Sequence, residues 1–96
     1  MSYTVILHDY PGLSELARIT AEQRYQQALE HALGGPGGVL LAWKAWQKAE
    51  HAAGKDFPLA EWHIARRWVL AADRARAAGL GNLQDCPDAA FELRPL

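Results

Sequence analysis

The chain has 96 residues, of which 50% are hydrophobic and 22% are charged, a balance typical of one folded domain and unlike that of a disordered chain. Its net charge of −1 excludes a strong long-range attraction of the whole molecule to nucleic acid or to an anionic membrane. The single cysteine, Cys86, excludes an internal disulfide and any cysteine-rich zinc motif. We therefore expect a single domain over residues 1–96, built around one hydrophobic core.

The sequence also indicates where in the cell the protein is expected to be. The first nine residues have no basic leader and only a brief apolar run, which is too short for a signal peptide. No stretch approaches the roughly 18–20 apolar residues that a membrane span requires. A cytoplasmic protein without a membrane partner is therefore expected.

Two segments, one at each end, favour extended structure. Residues 3–7 are the only run rich in β-forming side chains, and a turn signal follows them at 9–12. Residues 91–94 form a possible second short strand, and its pairing with 3–7 would bring the two ends together. Short extended or β segments are thus predicted at both termini.

Three helices are predicted between these ends, near residues 21–33, 39–53 and 58–78. The first begins at a capping box formed by Thr20 and Gln23, and the glycine-rich linker 34–38 ends it. This linker lacks the strand, lysine and hydroxyl of a phosphate-binding loop, so we interpret it as a hinge. The fold class is mainly α, a compact three-helix domain; a ferredoxin-like sheet domain stays open as an alternative, although its two middle strands would have to replace helices.

Each predicted helix has an apolar side. The second has one clean face, whereas the apolar arc of the third covers more than half of its circumference. The third helix is therefore either central, with the other two around it, or it shares its apolar surface with a partner chain. The residues expected to face inward are Ala21, Tyr25, Ala28, Leu29, Ala32 and Leu33, then Val39, Ala42, Trp43, Trp46, Ala49 and Ala53, then Trp62, Ile64, Ala65, Trp68, Val69, Ala71, Ala72 and Ala75.

The titratable side chains form no recognisable active-site or metal motif. The four histidines lack the short ligand spacing of zinc sites, although His51 and His63 flank the turn between the second and third helices. His8 precedes Asp9 in an extended segment, where adjacent side chains point apart. The acidic neighbours of Cys86 argue against a reactive thiolate. We therefore assign no catalytic, cofactor-binding or metal-binding residue.

The four tryptophans are the strongest candidates for a core and for a binding surface. Trp43 and Trp46 are expected to be internal. A possible partner surface consists of Trp62 and Trp68 with Arg66 and Arg67 at its rim.

These observations favour a noncatalytic protein-interaction or regulatory module whose partner is another protein or a second copy, a homodimer formed through the alanine and tryptophan surface of the third helix. One alternative is a helix-turn-helix-like DNA-binding protein that uses Arg66 and Arg67, although the first turn of the third helix carries no basic residue. A further alternative is a small histidine-dependent enzyme that pairs His8, His51 or His63 with a carboxylate.

Overall fold

The structure, a computed structural model, describes residues 2–8, 12–52, 55–81 and 90–96. Its elements are β1 (Tyr3–His8), α1 (Glu15–Leu33), α2 (Pro36–His51), α3 (Leu59–Gly79) and β2 (Ala90–Pro95), in that order. The predicted mainly α architecture, with three packed helices and a short strand pair at the termini, is confirmed, and the ferredoxin-like alternative is excluded by the helices in the middle of the chain. None of the described helices is both long enough and apolar enough to cross a membrane.

Helix α1 begins six residues earlier than predicted. The Ser14 side chain accepts a hydrogen bond from the backbone N–H of Ala17 at 3.2 Å, which makes Ser14 the N-cap. The Thr20 hydroxyl instead donates to the carbonyl of Leu16 at 2.8 Å, inside the continuous helix. The capping box expected at Thr20 and Gln23 is therefore wrong, because a serine one and a half turns earlier already caps the helix and Thr20 finds its partner within it.

The junction between α1 and α2 is tighter than the predicted five-residue hinge. Gly34 has the left-handed conformation, with φ of 80°, that ends α1. Pro36 is already the first residue of α2, where its fixed φ suits the helix and its missing N–H costs nothing. At Gly38 the chain passes so close to α1 that a Cβ atom would overlap the carbonyl oxygen of Leu33. Residues 36–38 therefore belong to α2 and not to a linker.

Helix α3 is the central element, because it packs on both α1 and α2 while α1 and α2 touch each other less. Its alanine side is buried between them, including Ala65, Ala71 and Ala75. Of the two alternatives for the wide apolar arc of α3, the central position is thus correct. The other two helices of the same chain cover these alanines, and self-association of the chain stays a prediction.

Most of the helix residues that the sequence predicts to face inward are buried or half-buried in the structure. The inward residues of α1 are Ala21, Tyr25, Leu29 and Leu33, whereas Ala32 is exposed. Trp43 and Trp46 are half-buried and pack against the core instead of lying inside it. Ala53 lies outside the described residues.

The predicted strand pairing is confirmed. Strands β1 and β2 are antiparallel, in a register that runs from Tyr3 opposite Pro95 to His8 opposite Ala90. On the inward side of the sheet, Phe91 stacks on Tyr25 of α1 with ring centroids 4.2 Å apart.

Side chains of α1 tie β1 to the helices. The Tyr3 hydroxyl donates to Glu30 at 2.9 Å, and the backbone N–H of Leu7 donates to Glu22 at 2.9 Å. Burial raises the pKa of Tyr3, and the hydrogen bond to the Glu30 carboxylate acts in the same direction. The edge of β1 that faces away from β2 is therefore partly satisfied by the helix beneath it.

Candidate interaction surface

The solvent side of α3 carries large apolar side chains between arginines. Leu59, Trp62 and Leu70 are 69%, 45% and 52% exposed, and each is separated from a neighbour on this side by three or four residues. The α3 face, as we name it, consists of Leu59, Trp62, Arg66, Arg67, Leu70 and Arg74. A helix that buries one side in the core thus presents a mixed apolar and basic strip to solvent on the other.

The three arginines of the α3 face have no ion-pair or hydrogen-bond partner within the described part of the chain. Arg66, Arg67 and Arg74 are all exposed, and none forms an ion pair or hydrogen bond with another described residue. Their guanidinium groups are therefore available to an external carboxylate, which they can bind through two parallel hydrogen bonds.

A cleft of about 560 Å³ adjoins one end of the α3 face, between the end of α2 and the start of α3. Its apolar lining includes Trp46, Phe57 and Trp62. Phe57 and Trp62 meet edge to face, with ring centroids 6.5 Å apart, so the wall of the cleft is held by an aromatic contact. Lys55 and Glu50 supply charges at its rim. The size and lining suit one or two apolar side chains of a partner.

A smaller groove runs along the other border of the α3 face. Leu41 of α2, which is 58% exposed, lines a depression of about 170 Å³ together with Ile64 and Arg67. A second depression of about 120 Å³ follows, lined by Arg67, Leu70 and Arg74 among others. Because the two depressions share Leu33 and Arg67, they form one groove along α3 with arginines beside it.

The structure brings together three of the four predicted partner residues. Trp62, Arg66 and Arg67 are exposed on the α3 face, whereas Trp68 lies in the core and is 8% exposed. Sequence reasoning missed Leu59 and Leu70. A helical wheel could have found both, because they fall in the same angular sector as Arg66, on the polar strip of the helix.

Of His8, His51 and His63, only His8 hydrogen bonds to a carboxylate among the described residues. His51 and His63 are exposed, and neither hydrogen bonds to another described residue. His8 is hydrogen bonded to Glu92 on the outward side of the sheet, where both side chains are substantially exposed. Asp9 and Cys86, considered above, lie outside the described residues.

The hydrogen bond with His8 lowers the pKa of Glu92 below its ordinary value, and the nearby charge of Arg94 acts in the same direction. A carboxylate held in its ionised form at a half-exposed site is a partner for cations and not a proton donor. Within residues 2–8, 12–52, 55–81 and 90–96, no three His, Cys, Asp or Glu side chains lie close enough together to hold a metal ion.

The geometry also gives little support to the DNA-binding alternative. A recognition helix meets the major groove with its first turns, and the first turn of α3, Leu59–Trp62, includes no lysine or arginine. Seven residues separate His51 from Leu59, which is longer than the three or four typical of a helix-turn-helix. The arginines at 66 and 67 begin only in the second and third turns.

Comparisons with known proteins add no family or relative: no family model matches the sequence, and no curated protein or solved structure matches it significantly.

Proposed function

We propose that this domain is a noncatalytic protein-interaction module and that its α3 face binds an acidic, amphipathic segment of a partner protein. The observation that carries the proposal is the alternation of exposed apolar side chains with three arginines that have no partner among the described residues. Apolar anchors with arginines at their rim are the composition of protein-binding hot spots.

The charge of the α3 face favours a different protein over a second copy at this surface. Arg66, Arg67 and Arg74 are accompanied by a single exposed acidic side chain on this side of the helix, Asp73. Two copies packed face to face would bring their arginines together, and like charges at an interface cost several kcal/mol in unfavourable cases. A segment with carboxylates spaced three or four residues apart would match the arginines, and apolar residues between them would enter the groove and cleft.

Selection of binders from a displayed library of random 16-residue peptides on the full chain tests the proposal. We expect the selected peptides to be rich in Asp and Glu, to carry Leu, Phe or Trp at helical spacing, and to bind more weakly as salt rises. Their affinity should fall at least tenfold for Arg67→Glu and for Leu70→Glu. Arg67→Lys keeps the charge at the same position and should retain most of the binding.

A second control addresses apolar exposure in general. Leu16 is 75% exposed at the start of α1, away from the α3 face, and Leu16→Glu should leave peptide binding unchanged. The proposal fails if the selected peptides show no acidic preference, or if Arg67→Glu and Leu70→Glu bind them as well as the unmodified chain while remaining folded by circular dichroism.

A further inference from the structure

Strand β2 has one edge that no other described strand covers. The sheet within the described residues contains only β1 and β2, and β1 occupies one side of β2. Partners in an antiparallel pair alternate between positions that exchange backbone hydrogen bonds and positions that do not. The phase of this alternation therefore decides which backbone groups β2 presents at its uncovered edge.

Two hydrogen bonds fix the phase. The N–H of Leu96 donates to the carbonyl of Ser2 at 2.9 Å, so Ser2 and Leu96 form a bonded pair, and bonded pairs follow at every second residue. The N–H of Leu7, at a position that does not bond to β2, indeed donates to Glu22 instead. It follows that Phe91, Leu93 and Pro95 direct their backbone groups away from β1, toward the uncovered edge.

We propose that β2 pairs antiparallel with β2 of a second copy, so that two two-stranded sheets become one four-stranded sheet with a two-fold axis at Leu93. The two Leu93 residues then exchange two hydrogen bonds. The N–H of each Phe91 donates to the carbonyl of Pro95 in the other copy. Pro95 has no N–H, so it does not donate to the carbonyl of Phe91 in the other copy, and the pairing consists of four interstrand hydrogen bonds.

Charge complementarity selects this register. With the axis at Leu93, Glu92 of each copy lies directly opposite Arg94 of the other copy, which gives two cross-strand pairs of opposite charge on the outward side of the sheet. A shift of the axis by one residue places either the two Glu92 or the two Arg94 side chains opposite each other. Like charges directly opposite destabilise a strand pair, so both neighbouring registers are disfavoured.

The inward side of β2 supports the same arrangement. Phe91 and Leu93 pack against the core yet remain half-buried. Arg94 is exposed, and among the described residues its charged group contacts only Glu92 of the same copy, at 3.4 Å. A neighbouring strand would cover the remaining apolar surface of Phe91 and Leu93 and give Arg94 a second carboxylate. The strand edge is thus self-complementary in apolar contact and charge, and its backbone forms all the interstrand hydrogen bonds of this register except the two that Pro95 cannot donate.

This inference does not rest on the α3 face, because α3 and the edge of β2 involve different residues. A dimer through β2 would carry two α3 faces and would bind a partner with two acidic segments more tightly than one with a single segment. Loss of dimerisation and loss of peptide binding therefore report the two proposals separately.

Charge exchange tests the register. Sedimentation velocity of the full chain over a concentration series should show a monomer–dimer equilibrium that weakens as salt rises. Glu92→Arg alone and Arg94→Glu alone each create two like-charge pairs and should weaken dimerisation about tenfold or more. The double variant Glu92→Arg/Arg94→Glu restores opposite charges across the axis and should return the dissociation constant to within about threefold of the starting value.

Circular dichroism identifies any variant that fails to fold, and Arg67→Glu on the α3 face serves as the control that should leave dimerisation unchanged. The proposal is overturned if the unmodified chain is monomeric throughout the series, in which case Pro95 and the charges of β2 act to keep the edge unpaired. It is also overturned if the single variants dimerise normally, if the double variant shows no recovery, or if Arg67→Glu abolishes the dimer.

Discussion

Replacement of Gly38 by alanine tests how closely α1 and α2 approach each other. A Cβ atom at this position would overlap the carbonyl oxygen of Leu33 and would lie 2.8 Å from the carbonyl carbon, where ordinary contacts are 3.4–4 Å. Both atoms belong to the backbone of the last turn of α1, so no side-chain rotation can relieve the overlap. The two helices must move apart at their junction.

The expected cost follows from two opposing effects. Overpacking in a tight site costs about 1–3 kcal/mol and sometimes more, and an overlap with backbone belongs at the upper end. Alanine is better than glycine inside a helix by about 0.5–1 kcal/mol. Gly38→Ala should therefore lower the free energy of unfolding by about 2 kcal/mol, which corresponds to a fall in Tm of roughly 8–16 °C for a domain of this size.

Gly37 provides a matched control in the preceding residue of the same helix. It lies in α2 with nothing within 4 Å of the added Cβ, so Gly37→Ala gains helix propensity without a clash. Its Tm should rise by a few degrees or stay constant. Urea and thermal unfolding followed by circular dichroism at 222 nm measure both variants, and a Gly38→Ala protein as stable as Gly37→Ala would refute the close approach of the helices.

Three further predictions concern the strand pair. Tyr3→Phe removes the hydroxyl that donates to Glu30 and should lower the free energy of unfolding, measured in urea, by about 1–2 kcal/mol. Tyr25→Phe is the control. It should change the free energy of unfolding less, because the Tyr25 hydroxyl has no hydrogen-bond partner among the described residues. Burial raises the pKa of both phenols above 10.0, so the fold favours their neutral forms and its stability should fall as the pH rises above 10.0. This fall should be less steep in Tyr3→Phe, which has lost one of the two phenols. An equally steep fall in that variant would contradict a contribution of the neutral Tyr3 phenol to stability. The hydrogen bond with His8 lowers the pKa of Glu92, so the ionised carboxylate stabilises the fold above pH 4.5 and this stabilisation is lost as the pH falls below that value. Glu92→Gln should therefore show a smaller fall in Tm at acid pH than the unmodified chain. An equally steep fall in Tm would show that the pair of His8 and Glu92 contributes nothing to stability.

The helices could be predicted because their signals are local. Apolar periodicity and glycine or proline breaks mark α1, α2 and α3 in the sequence. The strand pairing was open to prediction because the one run rich in β-forming residues, 3–7, has a single further candidate strand, 91–94, at the other end. The start of α1 was missed because Ser14 and Thr20 both have the chemistry of an N-cap, and only the packed structure shows at which of them the helix begins.

The interaction surface was less predictable, because exposure on α3 depends on how three helices cross. Trp62 and Trp68 are both apolar residues on a helix with a wide apolar arc, and the sequence gives no reason to bury one and expose the other. Leu70 was missed because it lies among arginines, on the polar strip of the helix and outside its apolar arc. The uncovered edge of β2 could not be found at all from the sequence, since it requires the strand register and the phase of the backbone hydrogen bonds.

The pairing of β1 with β2 also has a consequence for how the protein folds. His8 and Ala90 are neighbours in the sheet but 82 positions apart in the chain, so forming the sheet closes a loop around all three helices. Loop-closure entropy for that length costs roughly (3/2)RT ln 82, or about 4 kcal/mol, which a two-stranded ribbon alone does not recover. The helices, whose contacts are closer in sequence, should therefore form and pack before the strands meet, and substitutions in β2 should accelerate unfolding more than they slow folding.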